Sequence, residues 1–278
     1  MVETQTLMAV LAGGPYGPSD GVGAFNKSLL LRSCRSDGVL LKADKPVTMM
    51  EPAFAALPFD GPVPPNCSGP AAGHPSDLTC MVINVWSTHA DIPGAGRYGF
   101  VLGLDLVAPF TVAPADFIGE ASGGDRDAVA EYQVVEYWHG MRGDRVVVAT
   151  DKAPFRIVPP PLSLDPAIIT HAYYVFAPVL PTSGWCYLGE PGKIVTASAR
   201  RVEAVSEPTN TSIQVRMVGS PGEVITVLAR GPSGKLYEAS CAVSELSHAD
   251  PADTIDGKVG ITCGEPHGCV CHPQQSPT

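Results

Sequence analysis

The run Ser212-Ile213-Gln214-Val215-Arg216-Met217-Val218 alternates apolar Ile213, Val215 and Met217 with polar Gln214 and Arg216. Successive side chains of a strand point to opposite faces, so this pattern predicts a β-strand with one face on a core. Runs of similar texture, β-branched or aromatic and bounded by turn residues, recur at 81–86, 98–107, 131–138, 145–149, 171–180, 193–197, 201–205, 223–229 and 235–241. The chain holds 28 prolines in 278 residues, roughly twice the usual ~5%. With 29 glycines they cut it into short segments, which favours strands and loops over long helices. The expectation for residues 80–262 is an antiparallel β-sandwich.

The texture upstream differs. Residues 3–11 read as a helix rich in Leu, Met and Ala, stopped by Gly13-Gly14-Pro15 before a short extended piece and a Gly/Pro loop carrying Asp20. Residues 24–34 read as a second helix with the basic Arg32 and Arg35 at its end, where cations meet the negative end of the helix dipole. Residues 58–79, dense in Pro, Gly and Ser, read as a linker or loop, and residues 263–278 as a loose Cys- and His-containing tail.

The chain has 28 acidic against 18 basic residues, a net charge of −10. That balance argues against a phosphate backbone as partner, which needs a Lys/Arg surface. The eight cysteines and the sequons at Asn26, Asn66 and Asn210 predict an oxidising, secretory compartment. Sequence alone does not fix the cysteine pairing; the expected bridges are Cys67–Cys80 and Cys241–Cys263. No stretch reaches the roughly 18 to 20 apolar residues needed to span a bilayer. The N-terminus has no basic region and a short apolar run, unlike a secretory leader. An exported protein without a leader implies that the coding sequence continues upstream of Met1.

Gly13-Gly14-Pro15, three residues, Ser19-Asp20, two residues and Gly23 are followed in register by Leu29-Leu30, Asp37-Gly38, Lys42, Pro46, Thr48 and Phe54. This series resembles glycoside hydrolase family 36, the α-galactosidase and raffinose-synthase group, and an algal and animal branch with Gly-Pro-x-Gly-Pro-Ser-Asp at this site. Beyond Phe54 the likeness thins to Val85-Trp86 and a β-rich remainder. The resemblance implies that residues 1–57 are a terminal helix-strand-helix fragment of a (β/α)8 barrel, giving a mainly β chain in which the sandwich follows that fragment. It implies Asp20 as catalytic acid/base, with Ser19 and Tyr16 lining a sugar site. Retaining hydrolysis needs a second carboxyl group roughly 5 to 5.5 Å away. The family's nucleophilic Asp has no counterpart here, since Asp37, Asp44 and Asp60 stand in the wrong places. By itself Pro18-Ser19-Asp20-Gly21 suits a β-turn equally well; the downstream register favours the acid/base.

Three other clusters invite chemistry. Ser87, His89 and Asp91 crowd together near Trp86 and Thr88, but triad members converge from separate segments, and a strand end with a surface loop is expected. Trp138-His139, Trp185 and Tyr187 are expected as packing aromatics rather than sugar platforms. Cys263, His267, Cys269, Cys271 and His272 lack the paired Cys-x-x-Cys spacing of structural zinc modules, so a disulfide-bearing or frayed tail is expected, with no metal and no cofactor. The expectation is a glycosidase-like C-terminal portion, inactive as this chain alone, with an oligosaccharide or glycan as partner. The alternative is a non-catalytic carbohydrate-binding or structural β-sandwich.

Overall fold

The structure, a computed structural model, describes residues 2–14, 26–55, 84–106, 109–118, 131–137, 146–159, 170–243, 257–265 and 268–273. In chain order they form α1 (Val2–Leu11), α2 (Lys27–Leu30), β1 (Thr48–Met49), α3 (Glu51–Ala55), β2 (Val85–Ile92), β3 (Gly96–Leu104), β4 (Phe110–Val112), α4 (Ala115–Ile118), β5 (Tyr132–Glu136), β6 (Val146–Ala149) and β7 (Phe155–Ile157). Then come β8 (His171–Pro178), β9 (Cys186–Gly189), β10 (Val202–Thr209), β11 (Ser212–Gly219), β12 (Val224–Arg230), β13 (Leu236–Ala242), β14 (Gly257–Gly264) and β15 (Gly268–Pro273). The fold is mainly β. The sheets run β1-β2-β3-β8-β5-β6, β10-β11-β14-β15, β13-β12-β9 and β4-β7, and every pairing among the described residues is antiparallel.

The alternation in β11 holds: Ile213, Val215 and Met217 are buried, while Gln214 and Arg216 are not. The central strands β3, β8 and β5 of the six-stranded sheet are covered on both faces, which explains the unbroken apolar run Ala172-Tyr173-Tyr174-Val175-Phe176-Ala177 in β8. One face, with Tyr98, Phe100, Leu102, Tyr173 and Val175, shares a core with the four- and three-stranded sheets. The other, with Val101, Val134, Tyr174 and Phe176, packs on Phe110, Phe117 and Met50. Leu7, Val10 and Leu11 of α1 belong to the first core, so residues 2–11 are part of the β-rich body. Trp185 and Tyr187, expected as packing, are buried there; Trp138 and His139 lie outside the described residues.

Several expectations are corrected. The expected helix over 24–34 is one turn, Lys27–Leu30, because Leu30 O accepts from Ser33 N and Ser33 Oγ and local bonds of this kind compete with helical ones. Residues 193–197 are not a strand. Their backbone is used elsewhere, as Ile194 N donates to Arg32 O and Ile194 O accepts from the Tyr173 hydroxyl. Much of the expected loose tail is β15, paired with β14 from Val259↔Pro273 to Gly264↔Gly268. The expected Cys241–Cys263 bridge is replaced by Cys241–Cys271 and Cys263–Cys269, since pairing β14 with β15 sets Cys263 opposite Cys269. Cys67, Cys80 and the linker over 58–79 lie outside the described residues, as does the strand expected between Gly14 and Asp20. The two disulfides fit an oxidising compartment, and among the described residues no helix is long and apolar enough to cross a membrane.

One turn locks two sheets together. Val205 N of β10 donates to Pro93 O in the β2–β3 turn, and Gly94 beside it has φ +80. A Cβ at Gly94 would lie 1.8 Å from Val205 O. Gly94→Ala is therefore expected to destabilise the fold by more than about 2 kcal/mol, through backbone strain plus a main-chain clash. Urea unfolding of the variant against the parent measures it.

Candidate functional site

Tyr16, Ser19 and Asp20 lie outside the described residues, but both flanks of their segment are described. On the near side, α1 is sunk in the core, Val47 N donates to Leu11 O, and the Lys42 ammonium donates to Gly13 O at 2.8 Å. Lys42 is itself held by its carbonyl, which accepts from Ser198 Oγ. On the far side, Asn26 Oδ1 accepts from Leu29 N and caps α2; Leu29 is buried. Lys193 Nζ then donates to the carbonyls of Leu31 and Cys34.

The next turn is fixed by charge. Arg35 donates to both carboxylate oxygens of Asp37, Asp37 Oδ1 also accepts from Val39 N, and Gly38 takes φ +88, a conformation that favours glycine. Ser36 N donates to Glu223 Oε1. Glu223 receives two further bonds from Arg201, whose Nε donates to Glu190. The Arg201 side chain is 1% exposed, so this Glu190–Arg201–Glu223 group is a buried ionic cluster. Burial alone would raise the Glu223 carboxyl, yet Arg201 and the backbone N–H groups of Ser220 and Ser36 hold it at about 2. For Glu190, burial wins over Arg201 and Lys193 and pushes the carboxyl up.

A polar cleft of about 410 Å³ opens between α1, β5 and β8, lined by Glu3, Arg32, Glu136, Tyr137, His171 and Tyr173. Arg32 pairs with Glu3 at 3.2 Å, and Thr4 Oγ1 lies 2.8 Å from His171 Nδ1. Burial lowers the His171 imidazole from its ordinary value, favouring the neutral ring. The Tyr173 hydroxyl is committed to Ile194 O, so the charged and polar lining of the cleft comes from Glu3, Arg32, Glu136 and His171. Sequence reading missed this cleft, because its residues come from separate elements and share no motif.

Ser87, His89 and Asp91 sit inside β2 and not at a strand end, a correction that follows from β1 and β3 pairing with that strand on either side. They lie at two-residue intervals on one face, about 7 Å apart, too far for a Ser–His–Asp relay. The Asp91 carboxylate is gripped by Arg97. Among the described residues His89 Nδ1 has no hydrogen-bond partner. No cluster of three or more His, Cys, Asp or Glu among the described residues is placed to hold a metal, and Cys263, Cys269 and Cys271 are taken up in disulfides.

No protein-family model matches this chain, and no curated protein matches it at a significant level.

The Glu223 carboxyl gives a pH-dependent test. Its folded value of about 2 lies below its ordinary 4.5, so its contribution is complete above the ordinary value and is lost as pH falls through the folded one. Glu223→Gln is expected to be less stable than the parent by about 3 kcal/mol at neutral pH. That gap should close between pH 4.5 and about 2, read by urea unfolding of both proteins across the range.

Proposed function

We propose that this chain carries the acid/base carboxylate of a glycosidase-like protein acting on α-galactosides, by hydrolysis or galactosyl transfer, and that Asp20 is that group. In this reading residues 1–57 are the last segment of a (β/α)8 barrel, residues 80–262 are a β-sandwich that buttresses it, and the protein passes through the secretory pathway. Asp20 protonates the leaving oxygen and then activates water or an acceptor hydroxyl, while a nucleophilic carboxylate from a preceding barrel strand forms and releases the glycosyl intermediate. Tyr16 and Ser19 contact the sugar.

What carries the reading is that the residues sharing the family's register also frame the Asp20 segment. Lys42 ties down Gly13, Leu29 is buried behind the far flank, and Asp37 and Gly38 make the turn that follows. Gly13 and Asn26, on the two sides of the segment, are each held by a hydrogen bond, and a β-turn of no consequence would not call for that. Catalysis does, because a misplacement of about 1 Å can cost some 100-fold in rate.

In the full-length protein Asp20→Asn is expected to lower turnover of an activated aryl α-galactoside by about 100-fold or more. Added azide, which attacks the glycosyl intermediate without a general base, should restore turnover. Unchanged turnover would remove Asp20 from catalysis.

The cleft favours a second reading, a non-catalytic glycan-binding protein. Its volume falls within the range of about 300 to 1,000 Å³ typical of small-molecule sites. Arg32, Glu3 and Glu136 offer the mixed donors and acceptors that sugar hydroxyls require. Calorimetry against plant and algal oligosaccharides should then show binding that Glu136→Gln weakens; no heat with the parent protein discards this reading.

A further inference from the structure

The β10–β11 hairpin turns at Asn210-Thr211, with Thr209 and Ser212 paired directly across it. Asn210 and Thr211 are exposed. The inner side of the turn is pinned. Thr211 O accepts from the indole N–H of Trp185, a fully buried ring, and Thr209 Oγ1 accepts from Thr211 N and lies 2.6 Å from Ser212 Oγ. The Asn210 side chain is thus on the solvent side of a turn whose other polar groups are engaged, and Asn210-Thr211-Ser212 is a sequon.

We propose that Asn210 is N-glycosylated, an inference that rests on the secretory reading of the chain. The Nδ2 atom forms a bond to C1 of an oligosaccharide held on a lipid diphosphate. The C1–O bond to the diphosphate breaks, and the amide proton leaves with the diphosphate. No electrons are exchanged. A bulky glycan survives folding where it needs no burial, as at this tip. The sequon at Asn26 differs, since its Oδ1 accepts from Leu29 N and Ser28 Oγ as a helix cap. β10 is also an edge strand. Its middle is covered where Val205 meets Pro93, while Ser206, Pro208 and Thr209 are exposed. A glycan at Asn210 stands over that open end, and unpaired strand edges invite association with other chains.

The test uses protein isolated from the cells that make it. A tryptic peptide running from Val202 to Arg216 contains no other sequon. Treatment with a glycoamidase in heavy-oxygen water is expected to yield heavy-labelled Asp at position 210. Recovery of this peptide wholly with unmodified Asn210 overturns the proposal. A non-reducing digest of the same sample separates the two ways of failing. Unmodified Asn210 beside intact Cys241–Cys271 and Cys263–Cys269 bridges rejects the site alone, whereas free thiols at those cysteines reject the secretory reading and the site with it. In the secreted full-length protein Ser212→Ala should abolish the modification and Ser212→Thr should keep it. A glycan that persists at Asn210 in Ser212→Ala overturns the proposal as well.

Discussion

The Arg201 guanidinium, sealed between Glu190 and Glu223, is the contact on which the placing of the turn after α2 depends. Glu223 takes two bonds from Arg201 and also accepts from Ser36 N and Ser220 N. One buried charge group therefore ties the turn after α2 to the β11–β12 connection. Truncating one partner of such a group typically costs about 3 to 5 kcal/mol, because it leaves an uncompensated buried charge, although the intact group adds little net stability over apolar packing. Its value here is positional. It holds Ser36 at a defined place on the sheets, and with it the far flank of the segment carrying Asp20.

A second constraint is that the centre of the six-stranded sheet, β3, β8 and β5, is buried on both faces. A sheet with one wet face tolerates polar residues at every second position, but β8 has no such freedom, and its hydroxyls must find partners inside. Tyr173 does so by donating to Ile194 O, and Tyr98 on β3 by donating to Tyr187 O. These bonds stitch β8 and β3 to β9 and to the loop before β10. Because Ile194 also donates to Arg32 O, the chain reaches from the sheet core to the residues after α2 through two hydrogen bonds.

Much of this was legible where a single rule dominates. The alternation of β11 and the apolar runs of β3, β5 and β8 announced themselves, because burial on one face or both leaves a direct trace in residue type. β14 and β15 left little trace: Gly257, Gly260, Gly264 and Gly268 occupy them, and glycine reads locally as a turn. β9, with Cys186-Tyr187-Leu188-Gly189, is too short to show a period. The cysteine pairing could not be read for the same reason, since it follows from the β14–β15 register that those glycines conceal. At the candidate site, the motif from Gly13 to Gly23 was visible as a string. The frame around it was not, because Lys193, Ser198, Arg201 and Glu223 lie more than 150 residues away and reach it only through hydrogen bonds that the folded chain brings about.

The two acids around Arg201 also set how that frame answers to pH. Glu223 favours the folded state while ionised, whereas burial raises Glu190, so ionising Glu190 opposes folding and protonating it relieves that cost. As pH falls, Glu190 is therefore the first of the two acids to take up a proton, while Glu223 retains its charge to about pH 2. Glu223, not Glu190, holds Ser36. The link from the sheets to the Asp20 segment thus rests on the acid that keeps its charge longer as pH falls, and a frame built on Glu190 would lose its charge first.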